Sequence, residues 1–211
     1  MSGELSIFVL LVIVIVGWFA LGTHLNVRKG HHYMEWLQDG LPLIGEKTTL
    51  RWLGSSVVQL KIEKAHQPFR RAEVLIVLEP RDVPLLWLFS RLHGRRDLLI
   101  VRTELRTAPR LQLEVFDGKG WSTRAIAREI RALNWHLQSA AGNPAFQVYS
   151  SLPGAGAGEL LAEASRCPLP LVRLSVRESN NNVELQWQLP SRPATSARSV
   201  METVQRVAHQ L

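Results

Sequence analysis

The chain has 211 residues, 46% of them apolar, with 25 basic and 18 acidic side chains and a formal charge of +7. That length suits one domain or two small ones, and the single cysteine, Cys167, excludes an intrachain disulfide framework and a cysteine-built zinc site. The basic excess, 20 Arg and five Lys, draws a chain toward anionic lipid, but no basic run interleaves with aromatics as in a nucleic-acid motif, so no specific nucleic-acid partner is expected.

The segment Leu5–Gly22, LSIFVLLVIVIVGWFALG, carries no charge. Eighteen residues at about 1.5 Å each cross most of a hydrocarbon layer of about 30 Å. Leu5, Phe8, Leu11, Ile15, Trp18 and Leu21 are the expected lipid-facing anchor residues, with the Trp18 indole near one end, at headgroup level. A cleaved signal peptide calls for a basic start and a shorter apolar stretch; here Met-Ser-Gly-Glu precedes a long one. Arg28 and Lys29 follow the run and nothing basic precedes it. The flank rich in Lys and Arg stays in the cytoplasm, so the expectation is a single-pass cell-membrane protein with an outside N-terminus and a cytoplasmic C-terminal domain.

Residues 24–54 form a juxtamembrane segment punctuated by Gly30, Gly40, Pro42, Gly45 and Gly54, with a short helix over 33–38. His31, His32 and Glu35 lie here, but adjacent side chains on a helix point about 100° apart, and no third ligand stands at a fixed spacing; no metal is expected. From residue 57 the pattern alternates: Val58, Leu60 and Ile62 on one side, Gln59, Lys61 and Glu63 on the other, as in a half-buried strand.

A five-element order then occurs twice. Strand 73–78, helix 84–92, strands 97–106 and 110–116 and helix 122–138 are followed by strand 145–150, helix 158–166, strands 171–178 and 183–189 and helix 196–211. Leu111, Leu113 and Val115 correspond to Val183, Leu185 and Trp187, and Ile126, Ile130, Leu133 and Leu137 to Val200, Val204, Val207 and Leu211. Both helical sets have the spacing that shares one face. Ser122 or Thr123, and Thr195 or Ser196, supply N-caps. The expected fold is α+β: an anchor (1–23), the juxtamembrane segment (24–54), a first βαββα unit with its preceding strand (55–140) and a second unit (141–211). Two three-stranded units joined edge to edge make a mainly antiparallel, two-layered domain with helices on one face.

Residues 83–96, VPLLWLFSRLHGRR, are the least ordinary. Leu85–Phe89 are apolar without interruption, so this helix is either buried on all sides or rests on a bilayer or a partner subunit. Trp87, Phe89, Arg91, Arg95 and Arg96 are accordingly candidate contacts. Arg102 and Arg106 share the polar face of one strand, and Arg173 and Arg177 that of another; they either grip an anionic ligand or pair with neighbouring carboxylates such as Glu114 and Glu184. The glycines of Gly154–Gly158 match neither phosphate-binding fingerprint. Cys167 reads as a core thiol, and no nucleophile elbow or set of paired acids assigns a reaction.

The expectation for function is therefore a membrane-anchored protein with a cytoplasmic, non-catalytic interaction domain, an accessory subunit of a membrane complex, with lipid and a protein as partners and no cofactor. The alternatives are a tethered binding module for an anionic small molecule or lipid headgroup, and an enzyme whose site is assembled from distant residues.

Overall fold

The structure, a computed structural model, describes residues 3–118, 123–138, 145–152 and 156–211. Its first element is a continuous helix of 35 residues, α1 (Gly3–Leu37). The expected break after the apolar run is absent: Gly30 lies inside the helix, and the short helix foreseen at 33–38 is its last turn. From Gly22 onward α1 buries one stripe, Gly22, Asn26, Gly30, Tyr33 and Leu37. Spacings of four, four, three and four keep that stripe on one side. A short helix α2 (Leu41–Ile44) follows.

Among the described residues nine strands form one sheet: β1 (Thr48–Trp52), β2 (Val57–Ile62), β3 (Phe69–Val77), β4 (Leu98–Leu105), β5 (Leu113–Asp117), β6 (His136–Gln138), β7 (Phe146–Ser150), β8 (Leu171–Arg177) and β9 (Asn182–Gln188). Their order is β1-β2-β3-β4-β9-β8-β5-β7-β6, with every pairing antiparallel. The remaining helices are α3 (Pro84–Leu92), α4 (Thr123–Ala132), α5 (Ala157–Ser165) and α6 (Ala197–His209). The α+β class and the antiparallel sheet are as expected from the alternation. β1 is an addition: Thr48-Thr-Leu-Arg-Trp52, assigned above to a juxtamembrane segment, pairs along its whole length with β2 as the exposed edge strand.

Apart from the added β6, the elements follow one another along the chain in the expected order, but the sheet interleaves the two halves. β3 pairs with β4, whereas β7 and β8 are separated by β5, and β9 lies between β4 and β8. The halves therefore share one sheet instead of meeting edge to edge. Every strand except the edge strands β1 and β6 has two neighbours, so fewer backbone groups are left on open edges.

One face of the sheet carries the main core. Val58, Leu60, Ile62, Val74, Ile76, Leu99, Val101, Leu113, Val115, Leu174, Val176, Val183, Leu185 and Trp187 meet α5, α6, α2 and the last turns of α1. Trp187 is completely enclosed. The lower part of α1 is fastened to the chain around α6: the Tyr33 hydroxyl donates to the Pro190 carbonyl at 2.8 Å and Trp36 Nε1 to the Thr195 carbonyl at 2.6 Å. Ser196 caps α6, its Oγ accepting from the Arg198 backbone N–H at 3.0 Å; Ser122, the counterpart for α4, lies outside the described residues.

Helices do not all share that face. Phe116 alternates with Val115, points to the other side of β5, and packs there with Ile126 and Ile130 of α4. α4 is also shorter than the spacing suggested. It ends at Ala132, Asn134 adopts φ 53°, and residues 136–138 become edge strand β6. Asn tolerates the left-handed conformation that closes a helix. Leu133 and Leu137, expected on the buried stripe, are consequently 44% and 65% exposed.

Candidate functional site

The most developed polar cluster in the described structure lies where α1 leaves its apolar run and meets the sheet. β3 and β4 are antiparallel neighbours joined through α3, so the residue after one and the residue before the other meet at the same end of the sheet. Glu79, Arg81 and Asp97 come together there and face Asn26 and Lys29 of α1. The Asp97 carboxylate, 2% exposed, accepts from both terminal nitrogens of Arg81 at 3.1 Å, from Lys29 Nζ at 2.5 Å and from the Glu79 backbone N–H at 2.7 Å. Asn26, wholly buried, donates through Nδ2 to the Glu79 carbonyl at 3.1 Å and accepts from Arg81 Nη1 at 3.0 Å. The Trp18 indole donates to the Arg81 carbonyl at 3.0 Å.

Burial works to raise the Asp97 carboxyl, but the hydrogen bonds from Arg81 and Lys29 outweigh it and hold the group below the ordinary aspartate value. Tyr33, beside the same cluster, is pushed the other way: burial and the Asp97 charge raise its phenol well above the usual tyrosine range. Buried charges persist only when paired, and here each carboxylate oxygen of Asp97 has a cationic donor. Close approach is set by Gly22. A Cβ there would stand 2.3 Å from the Arg81 carbonyl oxygen and 2.5 Å from the Asp82 Cα; any side chain would force backbone apart.

Helix α3 lies against this seam. Pro84 occupies its first position, where the missing N–H costs nothing. At its other end Gly94 has φ 80°, with the Gly94 N–H on the Arg91 carbonyl at 3.1 Å and the Arg95 N–H on that of Ser90 at 2.9 Å, a Schellman closure. The helix is not buried on all sides. Its inner side is Trp87, Ser90 and Arg91: Trp87 Nε1 donates to Glu79 at 2.8 Å, Arg91 approaches the same carboxylate at 3.3 Å, and the rings of Trp87 and Trp18 are 6.2 Å apart. Its outer side is Leu85, Leu88, Phe89 and Leu92, exposed by 81, 51, 56 and 76%. The polarity of an ordinary surface helix is thus reversed. Arg96 donates to the carbonyls of Arg91 and Arg95 at 3.1 and 2.8 Å.

The arginines of the strands face away from the main core, and carboxylates meet them. Arg102 Nε bonds Glu184 at 2.5 Å; Arg173 joins Glu114 at 2.5 Å and Glu184 at 3.4 Å; Arg177 reaches Glu114 at 2.8 Å and Glu129 of α4 at 3.2 Å. Glu114 also accepts from the Ser175 hydroxyl at 2.8 Å, and Arg177 lies 4.6 Å from the centroid of the Trp135 ring. Burial would lower the Arg173 guanidinium, but its hydrogen bond to Glu114 more than compensates and the group is raised. Arg106 stands apart, donating from Nε to the Phe69 carbonyl at 3.0 Å. Carboxylate pairing, one of the two outcomes the strand pattern allowed, engages Arg102, Arg173 and Arg177 but not Arg106. An open groove of about 550 Å³ crosses this face, lined by Lys61, Arg71 and Arg102 together with Glu63, Glu73 and Glu104; its charges are mixed and favour neither sign.

Leu5, Phe8, Leu11, Ile15 and Leu21 project outward from α1, exposed by 47, 61, 55, 52 and 57%, while Trp18 turns partly toward α3. His31 packs 5.7 Å from Trp52, His32 lies 6.0 Å from Tyr33, and among the described residues no three His, Cys, Asp or Glu side chains are grouped to hold a metal ion. Gly154 lies outside the described residues. Cys167 is buried, which pushes its thiol up to about 11. The residues that sequence reasoning missed are Asn26, Glu79, Arg81 and Asp97. A signal was present: Asn26 sits four residues after Gly22, and Glu79-Pro-Arg-Asp82 ends an apolar strand. No family model matches the chain, and no curated protein matches it.

Proposed function

We propose that the chain is a single-pass membrane protein whose domain serves as a non-catalytic interaction module at the cytoplasmic surface, as an accessory subunit of a membrane complex. One observation carries this: α1 passes without a break from an exposed apolar run, long enough to cross a membrane, into the hydrophobic core of the domain. A continuous, clamped helix leaves no flexible linker, so the domain is held against the bilayer in one orientation instead of ranging over it. Such a connection suits a part that presents a fixed surface to a neighbour in the membrane plane. Arg28 and Lys29 just past the run support the cytoplasmic placement.

An anionic-ligand module is less favoured, because Arg102, Arg173 and Arg177 are already engaged by Glu114 and Glu184. The test is fractionation followed by purification in mild detergent. The chain should stay with membranes through an alkaline wash, and a second polypeptide should copurify with it in fixed ratio. A freely soluble chain would overturn the anchor, and a single-component particle would overturn the subunit role.

A further inference from the structure

We propose that α3 is a second membrane contact, an interfacial helix whose outer stripe enters the headgroup–acyl boundary of the leaflet from which α1 emerges. It rests on α1 crossing the bilayer. Leu85, Leu88, Phe89 and Leu92 recur at i, i+3, i+4 and i+7, the spacing of one helix face, and that face turns away from the domain. Water would oppose such an arrangement, because an apolar stripe of this kind normally faces the core. Here the core side of the helix is instead the polar one, held by Trp87 and Arg91 on Glu79.

What covers the outer stripe follows from depth. Trp87 meets Trp18, which belongs to the apolar run and lies one helical turn, about 6 Å, before Gly22, the first buried residue of α1. Trp18, Leu21, Gly22, Leu25, Arg81 and Trp87 line the notch between the two helices. α3 therefore stands at the level where the apolar run of α1 ends, and lipid is the neighbour that α1 itself brings there. Interfacial helices lie about 5–10 Å into that boundary with basic residues at headgroup level. Arg95 and Arg96 follow the apolar stripe in sequence, placing positive charge just past the end of the helix to meet anionic headgroups. With α1 crossing and α3 lying flat, two contacts set the tilt of the domain.

The test uses the full chain with Leu85→Cys, Phe89→Cys or Leu92→Cys, each carrying a nitroxide label, in vesicles of phosphatidylcholine with a minority of phosphatidylglycerol. These side chains are exposed, so the changes spare the core, and buried Cys167 stays unlabelled at neutral pH. Collision with oxygen, which concentrates in lipid, is compared with collision with a water-soluble nickel chelate. Labels at 85, 89 and 92 should favour oxygen several-fold, and a label at Lys61→Cys on the polar sheet face should favour nickel. Nickel preference at 85, 89 and 92 would overturn the proposal, and so would shielding from both reagents, which would mean a protein or a second copy covers the stripe. A label at Ile13→Cys separates the two levels: if it reads water, the crossing of α1 fails, whereas lipid at 13 with water at 85 sinks α3 docking alone.

Discussion

Arg81 donates to Asn26 at 3.0 Å while two of its nitrogens hold Asp97, so a single guanidinium ties the end of a sheet strand to the helix that carries the apolar run. Neither partner is available to water: Asn26 is fully enclosed and Asp97 is 2% exposed. The joint between α1 and the sheet is therefore polar, and its two most enclosed groups, Asn26 and the Asp97 carboxylate, are both hydrogen-bonded. A joint of this kind is expensive to leave half-made.

Asp97→Asn should be among the most damaging single changes in the chain. It removes one buried charge and leaves Arg81 and Lys29 facing each other, a loss of about 3–5 kcal/mol, readable as a lower melting temperature in detergent. The pH dependence follows from the depressed carboxyl. A folded value below the unfolded one, about 3.9, gives stability that is fully present above that unfolded value and is lost as pH falls through the folded one. Between pH 8 and 5 Asp97 should contribute no slope. Below about pH 4 the parent should lose stability more steeply than the Asn variant; parallel acid limbs would contradict the assignment.

Gly22→Val should open the seam, because its Cβ meets backbone at 2.3 Å rather than a movable side chain. Gly17 has nothing within 4 Å, so Gly17→Val is the matched control. Trypsin reports the difference. Cleavage after Arg81 should accelerate in the first variant and stay as slow as in the parent in the second.

On the polar sheet face, depth decides which ion pairs matter. Glu114 is fully buried and serves both Arg173 and Arg177; Glu114→Ala removes the buried partner of two guanidinium groups, leaving Arg173 to Glu184 and Arg177 to Glu129, and should cost about 3 kcal/mol. Arg102 is 44% exposed at its side chain, and Arg102→Ala should cost no more than about 1 kcal/mol. Chemical denaturation of both variants checks the order.

Ile130→Ala and Leu133→Ser separate the structure from the spacing that suggested one continuous stripe. Ile130 is completely buried, whereas Leu133 is 44% exposed beyond the end of α4. The first should lose about 2–5 kcal/mol, the second no more than about 0.5. Equal losses would restore the longer helix.

Cys167 should resist iodoacetamide in the folded chain at pH 8 and react once the chain is dissolved in hot detergent. Its thiol is buried and raised to about 11 by that burial, so the reactive thiolate is scarce as well as inaccessible. Mass spectrometry of the intact chain gives the result directly.

Strand placement was legible because alternation is a local property: Val58, Leu60 and Ile62 face one way whatever lies beside them. The helix over 122–138 was misjudged for a related reason. Apolar spacing continued through Leu133 and Leu137, but Asn134 turned the backbone, and a single left-handed residue outweighs a periodic pattern. The clamp was illegible because its members are far apart, Lys29 and Asp97 by 68 positions.

By itself, the amino-acid order determined a long apolar N-terminal rod, the alternating strands and the uninterrupted apolar run Leu85–Phe89. All three are patterns within one element, and the preference of apolar side chains to leave water expresses them without reference to the rest of the chain. Tertiary structure alone decided that β5 separates β7 from β8, that Arg81 and Lys29 share Asp97, and that the stripe of α3 looks outward. Those outcomes depend on which distant segments pair. A helical stripe is the same whether it meets a core or a bilayer, until Glu79 takes hold of the opposite side.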